Sequence, residues 1–237
     1  MIKAVLFDVY GTCVDWRTGV IEHVQPIYAA RGIDPALAAQ TADDWRMLYD
    51  PSMARVRDGE RPYVSLDVIQ RENLDRVLNG LDVSDQLDAQ DRAEMNKAWE
   101  KLPPWPDTFS ALAQIKEHLP IAACSNGSHA MMETLATYAA LPWTMICGSD
   151  VGRNFKPHRD VYLKSCTALG ANPEETLMLA CHPDDLDAAA ALGLQTAYFP
   201  RPTEWGDAPF TPDPEPHRFD FYADSFAELA SKIVRMV

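Results

Sequence analysis

Five short apolar runs punctuate the chain, at Ala4–Phe7, Ile121–Cys124, Met145–Cys147, Leu177–Cys181 and Thr196–Phe199. Each is rich in Val, Ile, Leu, Phe or Ala and ends near a Gly, Asn, Asp or Pro. Runs this continuously apolar fit strands buried on both faces rather than strands with one wet face. Helical patterns fill most of the gaps. Asp107 is placed to cap a helix carrying Leu112, Ile115 and Leu119 at helical spacing. Residues Arg159–Leu169 and Leu186–Leu192 predict two more helices. Strands alternating with helices predict an α/β fold, a Rossmann-like parallel sheet covered by helices on both faces.

About a hundred residues separate the first run from the second, far more than the dozen or so that a crossover requires. The excess, roughly Asp15 to Lys101, is therefore read as an insert. Leu66, Ile69, Leu74, Val77, Leu78 and Leu81 lie on one helical stripe within it. Pro103-Pro104-Trp105-Pro106 closes it and cannot be helix interior. The expected organisation is an α/β core from residues 1–14 and 102–237 and a helical cap from 15–101. The Pro-rich stretch from Pro200 to Pro216 predicts an ordered, irregular loop.

Charge narrows the partners. The formal net charge is −14, which opposes binding to nucleic acid and to anionic membrane surfaces. No apolar run approaches the length of a membrane span. The opening residues lack the basic start and cleavage site of a signal peptide, so a cytoplasmic location is the expectation. An anionic substrate would need a local cationic pocket to overcome the global field. The five cysteines, Cys13, Cys124, Cys147, Cys166 and Cys181, are odd in number and form no CxxC pair. They read as small buried hydrophobes rather than as a disulfide framework or zinc site.

In open parallel sheets ligands bind at the carboxyl ends of the strands. Four separate segments deliver polar groups there. Asp8 follows the first run, Ser125-Asn126-Gly127 follows the second, Lys156 lies soon after the third, and Asp184-Asp185 lie just past the fourth. Two carboxylates, a lysine and a hydroxyl/amide pair converging on one edge carry more weight than any single residue.

These segments, FDVYGT (Phe7–Thr12), SNG (Ser125–Gly127), FKP (Phe155–Pro157) and the acidic pair before Leu186, resemble the haloacid dehalogenase superfamily in type and in order. The insert sits where that superfamily places its helical caps. Its phosphatases typically read DxDGT, the second Asp protonating a leaving alcohol; here position 10 is Tyr10. A phenol with an unperturbed pKa near ~10 is a poor replacement for that acid. A leaving halide needs no proton, and DxYGT is the pattern of the L-2-haloacid dehalogenases. Trp45-Arg46 is similar to that family's Trp-Arg pair. Arg46–Met53 and Tyr63–Leu74 resemble a branch with defluorinating members.

What the resemblance implies is a hydrolysis of short 2-halo acids through an ester on Asp8, without cofactor or metal. Asp8 would be the nucleophile and Thr12 would orient it. Ser125, with backbone N–H groups of the loop after the first strand, would bind the substrate carboxylate. Arg46 and Asn126 would stabilise the departing halide, and Asp185 would activate water. Lys156 would keep Asp8 and Asp185 both ionised. Tyr10, Trp45, Tyr162 and His182 complete the expected substrate pocket. The expected partners are the 2-halo acid and water, and relatives often form homodimers.

Two departures keep alternatives open. The family's best-known members carry Ser and Asn before the final Asp, whereas this chain reads Ala180-Cys181-His182-Pro183-Asp184-Asp185. By spacing to Gly193, Asp185 aligns with the water-handling acid, and His182 replaces the Asn. The double acid leaves room for a Mg²⁺-dependent phosphatase or phosphonatase-like hydrolase of the same superfamily. A catalytically silent member is the third reading.

Overall fold

A computed structural model describes residues 1–206 and 218–236. Its centre is a parallel six-stranded sheet in the order β3-β2-β1-β4-β5-β6. The strands are β1 (Ala4–Phe7), β2 (Ile121–Cys124), β3 (Met145–Cys147), β4 (Thr176–Ala180), β5 (Gln195–Tyr198) and β6 (Phe221–Tyr222). β1 pairs with β2 through Val5↔Ile121 and with β4 through Val5↔Leu177. The strand order reverses at β1, so the carboxyl ends of β1, β2 and β4 flank the switch point where such sheets bind ligands.

β1, β2 and β4 are buried along their whole length, as their uninterrupted apolar sequence requires. Alternate residues enter different cores: Val5, Phe7, Leu177 and Leu179 pack into one cluster, Leu6, Met178 and Ala180 into the other. Helices α6 (Thr108–Lys116) and α11 (Phe226–Val234) pack together and bury Leu112, Ile115, Phe226, Leu229 and Ile233 in the first cluster. Helices α9 (Arg159–Ala168) and α10 (Pro183–Ala190) supply Val161, Tyr162, Leu186 and Ala189 to the second.

Between β1 and α6 run five α-helices, α1 (Trp16–Ala30), α2 (Leu37–Met47), α3 (Tyr49–Arg57), α4 (Leu66–Gly80) and α5 (Ala89–Asn96), followed by a 3-10 turn over Lys97–Glu100. Asp15 caps α1 by accepting the Thr18 N–H, and Asp88 forms a reciprocal capping box with Asp91 on α5. The stripe on α4 is buried at Leu66, Ile69, Leu74, Val77 and Leu78, with Leu81 half-buried beyond the helix end. At the centre of these helices Trp99 meets the rings of Tyr10, Trp16, Trp45 and Tyr49 at centroid distances of 5.8, 6.1, 5.5 and 6.4 Å. Apolar residues of these helices and of the sheet belong to one continuous cluster.

Several expectations change in detail. The sheet has a sixth strand, too short at two residues to leave an apolar run. β4 and β5 begin and end one residue earlier than their apolar runs, because the ladder includes Thr176 and Gln195, which the apolar runs exclude. Asp107 stands at the N-terminus of α6 without a side-chain capping bond; its carboxylate pairs with Arg201 at 2.8 Å instead. The Pro-rich loop forms turns as far as Gly206, and its remainder over 207–217 lies outside the described residues. All five cysteines are free and buried.

Candidate active site

The carboxyl ends of β1, β2 and β4 open into a cavity of about 270 Å³. It is lined by Asp8, Tyr10, Asn126, Lys156, Tyr162, His182, Asp184 and Asp185, and by Arg46, Tyr49 and Met53 from α2 and α3. The volume lies just below the ~300–1,000 Å³ of ordinary small-molecule sites, which fits a ligand of few atoms. Arg57 of α3 donates to the Lys156 carbonyl at 3.1 Å, and Tyr63 pairs with Ser149 at 3.0 Å. These contacts hold the inserted helices against the sheet's edge.

Asp8 directly follows β1, and its N–H donates to the Leu179 carbonyl at 3.0 Å. Its side chain is 9% exposed and has a donor on each oxygen. Lys156 Nζ lies 2.8 Å from Oδ1, whereas Thr12 Oγ1 donates to Oδ2 at 2.7 Å and His182 Nδ1 lies 2.9 Å from Oδ2. Burial by itself would raise the pKa of Asp8. The charges of Lys156 and His182 outweigh it and hold the carboxyl well below the usual carboxylate range. Asp8 is an anion at any working pH.

Lys156 Nζ also lies 2.5 Å from Asp185 Oδ2, and the Tyr162 hydroxyl donates to Asp185 Oδ1 at 2.5 Å. The ammonium thus lies between the two carboxylates. Despite its burial, which opposes charge, Lys156 is held protonated by Asp185 and Asp8. Asp185 moves the opposite way from Asp8: burial first, then repulsion from Asp8, raise its pKa despite Lys156. One lysine therefore serves two acids whose environments push them apart, one toward permanent charge and one toward accepting a proton.

Arg46 reaches the cavity from the end of α2. Its guanidinium lies 4.3 Å from the Tyr49 ring centre and 5.5 Å from that of Trp16. Its Nε is buried without a hydrogen-bond partner. A buried cationic donor left open is costly unless an anion completes it. Asn126 accepts the Lys156 N–H at 2.7 Å through Oδ1.

Other expected site residues stand further back. Ser125 is wholly buried; its hydroxyl accepts the Gly127 N–H at 3.2 Å and is not among the residues lining the cavity. The hydroxyl closes the turn that carries Asn126. Trp45 is likewise fully buried, donating to the Gln70 carbonyl at 2.8 Å and packed on Trp99. It supports the pocket from behind. Tyr10 lines the cavity, but its hydroxyl points to the Trp99 carbonyl at 3.4 Å, and burial with the neighbouring Tyr49 raises its pKa well above 10.

One polar group that sequence reading missed joins the site. Glu204, in the turns after β5, is 4% exposed. Its carboxylate faces His182 Nε2 at 3.0 and 3.1 Å and accepts the Trp16 indole N–H at 3.0 Å. Gly11 makes room for it: the residue has φ +83°, and a Cβ there would fall 2.1 Å from Glu204 Oε1. No local pattern marks Glu204 in the sequence; the only hint was a histidine replacing a neutral residue, which demands a new partner. Cys181, His182 and Glu204 also place one S, one N and one O donor within 4.8 Å of each other, the one such group among the described residues. The His182–Glu204 ion pair already satisfies two of these donors.

Residues 2–193 match the family described as haloacid dehalogenase-like hydrolases. An (S)-2-haloacid dehalogenase of Xanthobacter autotrophicus is 31% identical over 200 residues, 83% of this chain and 74% of the relative. The crystal structure of a defluorinating L-2-haloacid dehalogenase superposes with a TM-score of 0.93 at 38% identity, covering 98% of this chain and 95% of that one. A second, an L-2-haloacid dehalogenase from Xanthobacter autotrophicus with chloropropionic acid covalently bound, gives a TM-score of 0.84 at 26% identity with both chains fully covered.

Proposed function

The chain belongs to the haloacid dehalogenase-like hydrolases, and from that membership together with the site's geometry we propose that it hydrolyses short 2-halo acids to 2-hydroxy acids. Asp8 attacks the α-carbon, the C–X bonding pair leaves with the halide, and an aspartyl ester remains. Arg46 receives the departing halide, with the Asn126 amide beside it. Water then adds to the ester carbonyl while Asp185, the acid with the raised pKa, takes its proton. Lys156 keeps Asp8 ionised, Tyr162 orients Asp185, and Thr12 orients Asp8. The helical segment 15–101 acts as a cap that supplies Arg46 and excludes water from the first step.

The observation that carries this reading is the pairing of an ionised carboxylate, Asp8, with the Arg46 side chain in the lining of one small cavity. The first suits attack on carbon and the second suits an anionic leaving group. A phosphatase would instead need an acid near Asp8 to protonate an alkoxide, and Tyr10 is turned to a backbone carbonyl with its proton held tightly.

The test is halide release from fluoroacetate, chloroacetate and each 2-chloropropionate enantiomer, with and without EDTA, beside a phosphate-ester panel. Release that survives the chelator supports the proposal. Phosphate release that requires Mg²⁺, with no halide release, overturns it.

A further inference from the structure

His182 stands between two carboxylates. Nδ1 lies 2.9 Å from Asp8 Oδ2, and Nε2 lies 3.0 Å from Glu204 Oε2. Ionised carboxylates only accept, so both ring nitrogens must carry protons, and His182 is an imidazolium. Burial opposes that charge, but the Cys181 sulfur, Glu204 and the bond to Asp8 outweigh it and raise the pKa well above that of an ordinary imidazole. The charged and titratable groups around the ring are Asp8 from the loop after β1, Cys181 just past β4, and Glu204 from the loop after β5. Lys156 lies across Asp8, and Arg46 acts on Glu204.

The donors on Asp8 are unequally shared. Oδ2 is met by Thr12 and His182, Oδ1 by Lys156 alone. Oδ1 has the freer lone pair and is the attacking oxygen. After attack Oδ1 becomes the ester's alkoxy oxygen and Oδ2 its carbonyl oxygen. We propose that Thr12 and the His182 imidazolium form the oxyanion hole for hydrolysis of that ester, and that Glu204 keeps His182 charged while Asp8 is esterified. The proposal rests on the dehalogenase reading and assigns the chemistry of its second half.

The electron and proton movements are these. Water oxygen bonds to Cγ of Asp8 as its proton passes to Asp185, and the carbonyl π pair moves onto Oδ2 between Thr12 and His182. The pair returns, the Cγ–Oδ1 bond breaks, and the alkoxide takes a proton from Lys156, which regains one from Asp185. Asp8 is left as a carboxylic acid that loses its proton to solvent. Esterification removes the negative charge of Asp8, and with it one of the two anions that hold the His182 proton. Glu204 becomes the remaining one. Glu204 is thus a positioning residue that acts through His182.

The experiment compares wild type with Glu204→Gln and Glu204→Asp in single turnovers of L-2-chloropropionate from pH 5.5 to 9, reading chloride and, after acid quench, the ester by mass spectrometry. In E204Q chloride release in the first turnover should change less than about tenfold, whereas ester hydrolysis slows by roughly 10²-fold, as for loss of an oxyanion donor. The slowing should grow as pH rises through about 6.5, where an unassisted imidazole loses its proton. Wild type should stay flat over that range, and E204D should restore most of the hydrolysis rate. An E204Q profile that matches wild type, with no accumulated ester, overturns the proposal. Should E204Q not fold, the His182→Ala/E204Q double variant removes both charges together and must also accumulate ester. If the double variant hydrolyses the ester at the wild-type rate, the proposal again falls. A wild-type protein that releases no chloride and forms no ester defeats the underlying reading instead.

Discussion

Replacing Lys156 by Met tests the electrostatic core of the site. Its ammonium is 6% exposed and lies 2.8 Å from Asp8 and 2.5 Å from Asp185. At an effective dielectric constant near ~20, one unit pair at the 2.8 Å seen for Asp8 is worth about 6 kcal/mol. Some of this offsets the desolvation of the buried charges; a remainder of about 4 kcal/mol corresponds to roughly 10³-fold. Without the cation the two buried acids share a proton at neutral pH. An Asp8 that holds it cannot attack. Chloride release from chloroacetate by K156M should therefore drop by about 10³-fold or more, with the circular dichroism spectrum unchanged.

The variant also has a signature in pH. In wild type the depressed pKa of Asp8 stabilises the fold above the unfolded carboxyl value near ~3.9, and this is lost only as pH falls below it. In K156M the shared acid has a raised pKa, so its contribution is lost as pH rises through that value. The gap in thermal midpoint between wild type and K156M should therefore widen from pH 5 to pH 8. A K156M rate within tenfold of wild type would refute the reasoning, and so would a gap that narrows.

Four further outcomes follow from the geometry. Asp8→Asn should abolish halide release and leave no mass increment on the protein after substrate. Arg46→Ala should lower turnover by about 10²-fold, as for loss of a donor to developing negative charge, with a larger loss for fluoroacetate than for bromoacetate; equal losses would argue that Arg46 serves the carboxylate end. Tyr10→Phe removes only a 3.4 Å contact with the Trp99 carbonyl, so turnover should stay within about threefold and stability within ~1 kcal/mol; a hundredfold loss would make Tyr10 an acid after all. Trp99→Ala empties the centre of the aromatic cluster and should cost about 3–5 kcal/mol in denaturant unfolding.

The sequence by itself determined the parallel sheet, because fully buried strands must be apolar throughout and so stand out as runs. It also pointed to the four segments that converge on the site, Asp8, Ser125-Asn126-Gly127, Lys156 and the pair Asp184-Asp185, since strand order and strand ends place them on one edge. The long connection between the first two runs pointed to an insert, and the stripe from Leu66 to Leu81 to its helical character. The tertiary structure decided which polar groups face the cavity. Ser125 and Trp45 turned inward because each has a backbone partner, Gly127 N–H and the Gln70 carbonyl, that no periodicity reveals. It also brought Glu204 to His182 across 22 residues and His182 to Asp8 across 174. Hydrophobic period is a local signal, whereas the charge state of a buried side chain depends on whichever distant groups folding sets beside it.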